Sequence, residues 1–138
     1  KAILQGEAIP VFNNGQMVRD FTYIDDIVEG VILVLDKPAI TNVNFDARLP
    51  DPATAAVPYR IFNIGNGNPT PLMDYIAALE TALGMEANKE FLPMQPGDVP
   101  ATSADTRELG EWVGFQPNTP VTHGVAKFVA WYRDFYNV

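Results

Sequence analysis

Cysteine is absent from the 138 residues. That excludes disulfides, thiolate metal sites and cysteine nucleophiles. Histidine occurs once, as His123, which argues against a histidine-built metal centre. Cations are scarce: 9 Lys and Arg stand against 17 Asp and Glu, for a net charge of -8. Such a chain lacks the basic face that nucleic acids require. Long apolar runs are missing too. GVILVL (30–35) lies between Glu29 and Asp36, well short of the ~20 residues of a membrane-spanning helix. The first residues do not read as a signal peptide. What remains is 47% hydrophobic, too apolar for a disordered tail. The composition predicts a soluble cytoplasmic protein with one modest core.

The first residue is Lys1, and KAILQG reads as the last turn of a helix closed by Gly6. The expectation is a piece cut from a longer protein.

IPVF (9–12) and MVRDFT (17–22) are short strand candidates separated by the turn residues Asn13-Asn14-Gly15. From Ile24 the period changes. Ile24, Ile27, Val28, Val31 and Leu35 recur at helical spacing, with Asp25, Asp26 and Glu29 opposite, and Pro38 stops the helix. Residues 38–58 have no periodicity and predict an irregular excursion. YRIFNIG (59–65) reads as a buried strand. Thr70-Pro71 offers an N-cap with proline behind it, and Leu72, Ile76, Leu79 and Leu83 form a stripe up to Gly84. KEFLP (89–93) reads as a strand and 94–105 as a loop. Asp105 with Glu108 matches a capping box. Thr119-Pro120 opens a last helix lined by Val121, Val125, Phe128, Tyr132 and Phe135. This order predicts an α/β lobe, helices packed on a small sheet.

Most chemistry-bearing residues have a plain structural reading. The Gly65-Asn66-Gly67 turn lacks the third glycine of a dinucleotide fingerprint, Thr70 standing there instead, so it reads as a turn. Asn63 or Asn66 could still face a ligand. Asp25 and Asp26 sit in a helical first turn, where the dipole favours acids. Ser103 has no histidine-and-acid pattern around it, and His123 reads as solvated. Arg19 is different. Val18, Phe21 and Tyr23 surround it, and a half-buried guanidinium needs an anion that fits its planar fork. A phosphate and an ion pair with Asp20, Asp25 or Asp98 are balanced alternatives. Asp98, in a loop with Pro96, Gly97 and Pro100, is either a turn residue or a carboxylate presented to a diol.

Four segments in order, RDFTYIDDIVEG (19–30), PYRIFNIGNGNPTPLMDYIAALE (58–80), MQPGDVPATSADTRELGE (94–111) and WYRDFY (131–136), resemble the C-terminal lobe of the extended short-chain dehydrogenase/reductase nucleotide-sugar enzymes. Within that superfamily the resemblance is closest to bacterial UDP-glucuronate 4-epimerases of the capsular polysaccharide type. It covers nearly the whole chain outside 38–57. It implies a two-lobed enzyme, in which an N-terminal Rossmann lobe holds NAD and the C-terminal lobe closes over a UDP-sugar, UDP-glucuronate above all. The sugar is oxidised at C4 to a 4-keto intermediate and re-reduced on the other face. The implied partners are the UDP-sugar and the Rossmann lobe, with no nucleic acid and no membrane, and an oligomeric full-length enzyme is compatible with it.

The resemblance also assigns residues. The strand Ile9–Phe12 runs along the uracil, with backbone groups near Pro10, Val11 and Phe12 at its edge. Arg19 contacts the diphosphate and Asp98 the ribose hydroxyls. Gln95 stands where galactose-type epimerases carry a second phosphate-contacting arginine, and MQPGD is typical of the glucuronate type. The catalytic Tyr-x-x-x-Lys has no counterpart: four residues after Tyr23, Tyr59, Tyr75 and Tyr132 come Ile27, Asn63, Leu79 and Tyr136. The chain alone is therefore expected to be inactive and to bind no NAD tightly. The alternatives are a UDP-glucuronate decarboxylase, a nucleotide-sugar dehydratase, or, from another class, a non-catalytic folded module.

Overall fold

Asn13, Asn14 and Gly15 all take positive φ, at 49°, 48° and 78°, the left-handed region that asparagine and glycine tolerate best. The computed structural model describes all 138 residues. In it this turn follows strand β1 (Ala8–Val11) and precedes β2 (Val18–Arg19), yet the two strands do not form a hairpin. β1 pairs in parallel with β4 (Asn88–Phe91), from Ala8 opposite Asn88 to Val11 opposite Phe91. β2 pairs antiparallel with β3 (Thr70–Pro71), Val18 opposite Pro71 and Arg19 opposite Thr70. The expected strand over 17–22 is thus only two residues long. Beyond Arg19 the chain leaves β3 to reach helix α1 (Ile24–Asp36).

Helix α2 (Leu72–Leu83) is the centre of the packing. One side meets Ile3, Val11 and Ala87 through Ile76, with Leu72, Met73 and Leu79 alongside. The other meets helix α4 (Val121–Tyr136), where Ala78 packs on Val125 and Val129. The predicted stripe Leu72, Ile76, Leu79 and Leu83 lies within these two clusters, and Gly84 closes the helix at φ 70°. Val11 and Leu109 are almost wholly buried, a burial that stabilises by ~1.5–3 kcal/mol per side chain. Gly6, also at φ 70°, caps a short turn over Ile3–Gln5. No helix is long and apolar enough to cross a membrane.

Several expectations need correction. The stripe on α1 points away from the core of this chain: Ile24, Val28, Val31 and Leu35 are 48–76% exposed. The buried positions are Asp26 and Gly30. Asp26 does more than favour the dipole, since its carboxylate accepts from the Thr119 N–H at 2.9 Å and the Thr119 hydroxyl at 2.8 Å. Thr119 is therefore not a cap; α4 starts after Pro120. α2 likewise begins at Leu72, because Thr70 and Pro71 are taken up in β3. On α4, Val125 is buried, whereas Phe128 and Phe135 lie exposed. YRIFNIG does not form a strand. Only Arg60 bridges to Thr54, since no other strand runs beside it. Arg60 and Phe62 turn instead to helix α3 (Arg107–Val113), where Trp112 lies 4.8 Å from the Arg60 guanidinium and 6.1 Å from the Phe62 ring. Residues 38–58 contain no helix and no named strand.

Asp105 does not cap α3, whose preceding residue is Thr106. Its carboxylate instead receives the Arg107 N–H and the Arg107 guanidinium, with Nη2 at 2.6 Å. The side-chain bond to Arg107, helped by the backbone one, holds Asp105 at about 2, against an ordinary 3.8. A depressed acid stabilises the fold above its unfolded pKa and loses that contribution as pH falls toward its folded one. The window here runs from about 3.8 down to about 2. A carboxyl NMR titration is expected to find the Asp105 midpoint at about 2, and Arg107→Gln to raise it toward 3.8 while the backbone bond to residue 107 keeps it below.

Asn66 joins three segments. Its buried side-chain amide donates to the Phe21 carbonyl at 3.2 Å and the Thr119 carbonyl at 2.9 Å. Asn66→Ala strands both acceptors, and a buried unsatisfied group costs about 1–3 kcal/mol. Urea denaturation is expected to show a loss of that size as a lower midpoint with unchanged slope.

Candidate nucleotide-sugar site

Arg19 ends β2, and the same strand brings its partner loop alongside. The Val18 N–H donates to the Pro100 carbonyl at 2.9 Å, and the Thr102 N–H to the Val18 carbonyl at 3.2 Å. Residues 95–99 are thereby looped out next to Arg19. Gly97 takes φ 85°, which closes the turn in which the Asp98 N–H donates to the Gln95 carbonyl. The guanidinium Nη1 then donates to the Val18 carbonyl at 2.9 Å and Nη2 to Asp98 Oδ1 at 2.8 Å. The Arg19 and Asp98 side chains remain 24% and 35% exposed.

Of the three acids weighed as partners for Arg19, Asp98 is the one that meets it. Asp25 is exposed at the start of α1. Asp20 turns the other way: its Oδ2 accepts from the Gly67 N–H at 3.1 Å and the Ala104 N–H at 3.2 Å. Gly65 is obligatory beside it, since a Cβ there would lie 2.6 Å from the Ala104 methyl and 2.8 Å from Asp20 Oδ2. Asp20 therefore staples the 65–67 turn to the 102–104 segment, a role the sequence did not signal. An exposed ion pair contributes ~0–1 kcal/mol, so the Arg19–Asp98 contact is a weak stabiliser that an incoming ligand can exchange.

The three residues expected along the uracil differ in what they can offer, since β1 ends at Val11 and Phe12 begins a 3-10 turn over Phe12–Gly15 instead of continuing the strand. The Val11 side chain is in the core, and its carbonyl accepts from the Leu92 N–H at 3.0 Å. Backbone groups alternate in direction along a strand. Those of Pro10 thus face the edge of β1 that carries no other strand. Proline offers only its carbonyl there. Phe12 is half-buried and Gln95 exposed. The Gln95 side chain has no hydrogen bond.

The other candidates are structural. Asn66 is the buried clamp described above, and the Asn63 amide donates to the Asp105 carbonyl at 3.3 Å. The Gly65-Asn66-Gly67 turn does not fit a dinucleotide phosphate, because the Gly67 N–H that would cradle it is already held by a carboxylate. His123 is exposed. An open cleft of about 270 Å³, lined by Phe21, Tyr23, Tyr75, Val121 and Phe128 among others, contains no charged side chain. It is apolar and separate from the Arg19–Asp98 pair.

Residues 1–65 match the NAD dependent epimerase/dehydratase family. The chain is 46% identical over 136 residues to Protein CapI of Staphylococcus aureus, covering 99% of this chain and 41% of that protein. It is 40% identical to the probable UDP-glucuronate 4-epimerase of Rhizobium meliloti, covering 98% of this chain and 40% of that one. Its fold superimposes on MoeE5 in complex with UDP-glucuronic acid and NAD, with a TM-score of 0.74 and 25% identity over 97% of this chain and 39% of the other. The chain spans about two fifths of the length of the curated relatives it matches. Similarity to these proteins runs from end to end of the chain, and its first 65 residues carry the match to the NAD dependent epimerase/dehydratase family.

Proposed function

We propose that this chain is the C-terminal, UDP-sugar-binding part of an NAD-dependent UDP-glucuronate 4-epimerase. The observation that carries the reading is the Arg19–Asp98 pair at 2.8 Å, a guanidinium and a carboxylate on one surface. The guanidinium suits a diphosphate and the carboxylate a ribose diol. The free edge of β1 at Pro10 and the turn that Phe12 opens after it supply backbone groups for a base. MoeE5, similar in fold, was solved with UDP-glucuronic acid and NAD, and the Rhizobium relative is named for the 4-epimerase activity.

The chain's own share of the work is positional. Arg19 neutralises and orients the diphosphate, Asp98 accepts hydrogen bonds from the ribose, and β1 fixes the uracil edge, so the sugar projects toward groups outside this chain. NAD supplies the oxidation and return of hydride at C4 when it is bound. We assign it to an N-terminal Rossmann lobe. The exposed stripe of α1 and the exposed aromatics Phe128, Trp131 and Phe135 of α4 support such a lobe, since apolar surface of this extent marks an interface.

A charge-assisted hydrogen bond contributes roughly 1.5–3 kcal/mol, and about 1.4 kcal/mol is one decade of affinity. Arg19→Ala in the full-length protein is therefore expected to weaken UDP binding at least tenfold by calorimetry. An unchanged affinity would refute the site. The isolated 138 residues are expected to convert no UDP-glucuronate to its C4 epimer. Turnover by the isolated chain, followed by chromatography of the sugar nucleotides, would contradict the division of labour.

A further inference from the structure

We propose that Asn14 is a site of spontaneous deamidation, with the Gly15 nitrogen as the attacking group, and that the fold shields the second Asn-Gly pair, Asn66-Gly67, from the same reaction.

Two asparagines of the chain are followed by glycine, Asn14 and Asn66. The pairing matters because the nucleophile is the main-chain nitrogen of the next residue, and a side chain on that residue crowds the approach. The glycine nitrogen gives up its proton and bonds to the asparagine Cγ. The Cγ–Nδ2 bond breaks, and ammonia leaves with that proton. Water then opens the cyclic imide. Opening at Cγ gives aspartate. Opening at the main-chain carbonyl gives isoaspartate, whose backbone runs through the side chain. By sequence alone the two pairs rank alike.

Their surroundings separate them. Asn66 is 9% exposed. Its Nδ2 donates to the Phe21 carbonyl at 3.2 Å and the Thr119 carbonyl at 2.9 Å, so the leaving group is held by both its protons. The Gly67 N–H donates to Asp20 Oδ2 at 3.1 Å, and its nitrogen would have to become anionic against a carboxylate. Reaction there requires three hydrogen bonds and a joint between segments to open together. Asn14 is exposed, and its side chain makes no hydrogen bond. No side chain accepts from the Gly15 N–H. Ring closure needs rotation about the Asn14 Cα–C bond, which stands at ψ 32°. That bond lies in a surface turn pinned by the Asn14 N–H on the Leu92 carbonyl at 3.0 Å and the Gln16 N–H on the Asn13 carbonyl at 2.8 Å. Local opening of a surface turn costs less than opening a packed joint. The products reshape the turn. Isoaspartate puts an extra carbon into the main chain in the middle of three left-handed residues, and either product adds a negative charge to a chain already at -8.

Gly15→Ala is a poor control, because a Cβ at φ 78° would lie 2.7 Å from Met73 Sδ. The unfolded chain serves instead. Full-length protein is incubated at mildly alkaline pH with and without urea, and each pair is followed by peptide mass spectrometry and by isoaspartyl methyltransferase labelling. For each pair the folded rate is divided by the rate in urea. The quotient for Asn14 is expected to exceed that for Asn66 at least about tenfold. Equal quotients, a larger one for Asn66, or an Asn14 that converts in urea and stays intact in the folded protein overturns the proposal.

Discussion

The site depends on two backbone hydrogen bonds, from Val18 to Pro100 and from Thr102 to Val18. They lay the 94–105 loop along β2 and so bring Asp98 to Arg19, 79 positions away in the chain. A surface ion pair contributes too little to hold such a loop by itself. The loop is held by its backbone ladder and by Asp20, which accepts the Ala104 N–H near the loop's end and the Gly67 N–H of the neighbouring turn. Beneath them the antiparallel β2–β3 pair and the Leu72 N–H on the Met17 carbonyl tie β2 to α2, the best-packed element of the chain. The geometry of the charged pair is thus inherited from the core, and the side chains add chemistry to a place already fixed.

A chain of net charge -8 is a poor long-range attractor for a sugar nucleotide. Screening limits that handicap to about 8 Å at physiological salt.

Only 17 of 138 residues are buried, although nearly half are hydrophobic. The α1 pattern is a sound amphipathic pattern, with its apolar stripe outward and Asp26 and Gly30 inward. Asp26 can lie on the inner side because Thr119 gives it two donors. Periodicity reports that a face will be covered and is silent about what covers it.

Helices and turns were legible because their signals are local. Gly6 and Gly84 close their turns through the left-handed conformation, Asn13-Asn14-Gly15 bends the backbone, and the α2 stripe packs as spaced. Signals that need a partner misled. YRIFNIG has the composition of a strand and no ladder to join, while Thr70 and Thr119 have the chemistry of caps but are claimed by β3 and by Asp26. The same division runs through the site. Residue chemistry marked Arg19 as a cation in need of an anion and Asp98 as a carboxylate held forward by proline and glycine. Which acid would meet the arginine, and that Asp20 and Asn66 are staples behind it, only the tertiary structure decided, because a hydrogen bond between distant residues depends on where the backbone between them has been packed.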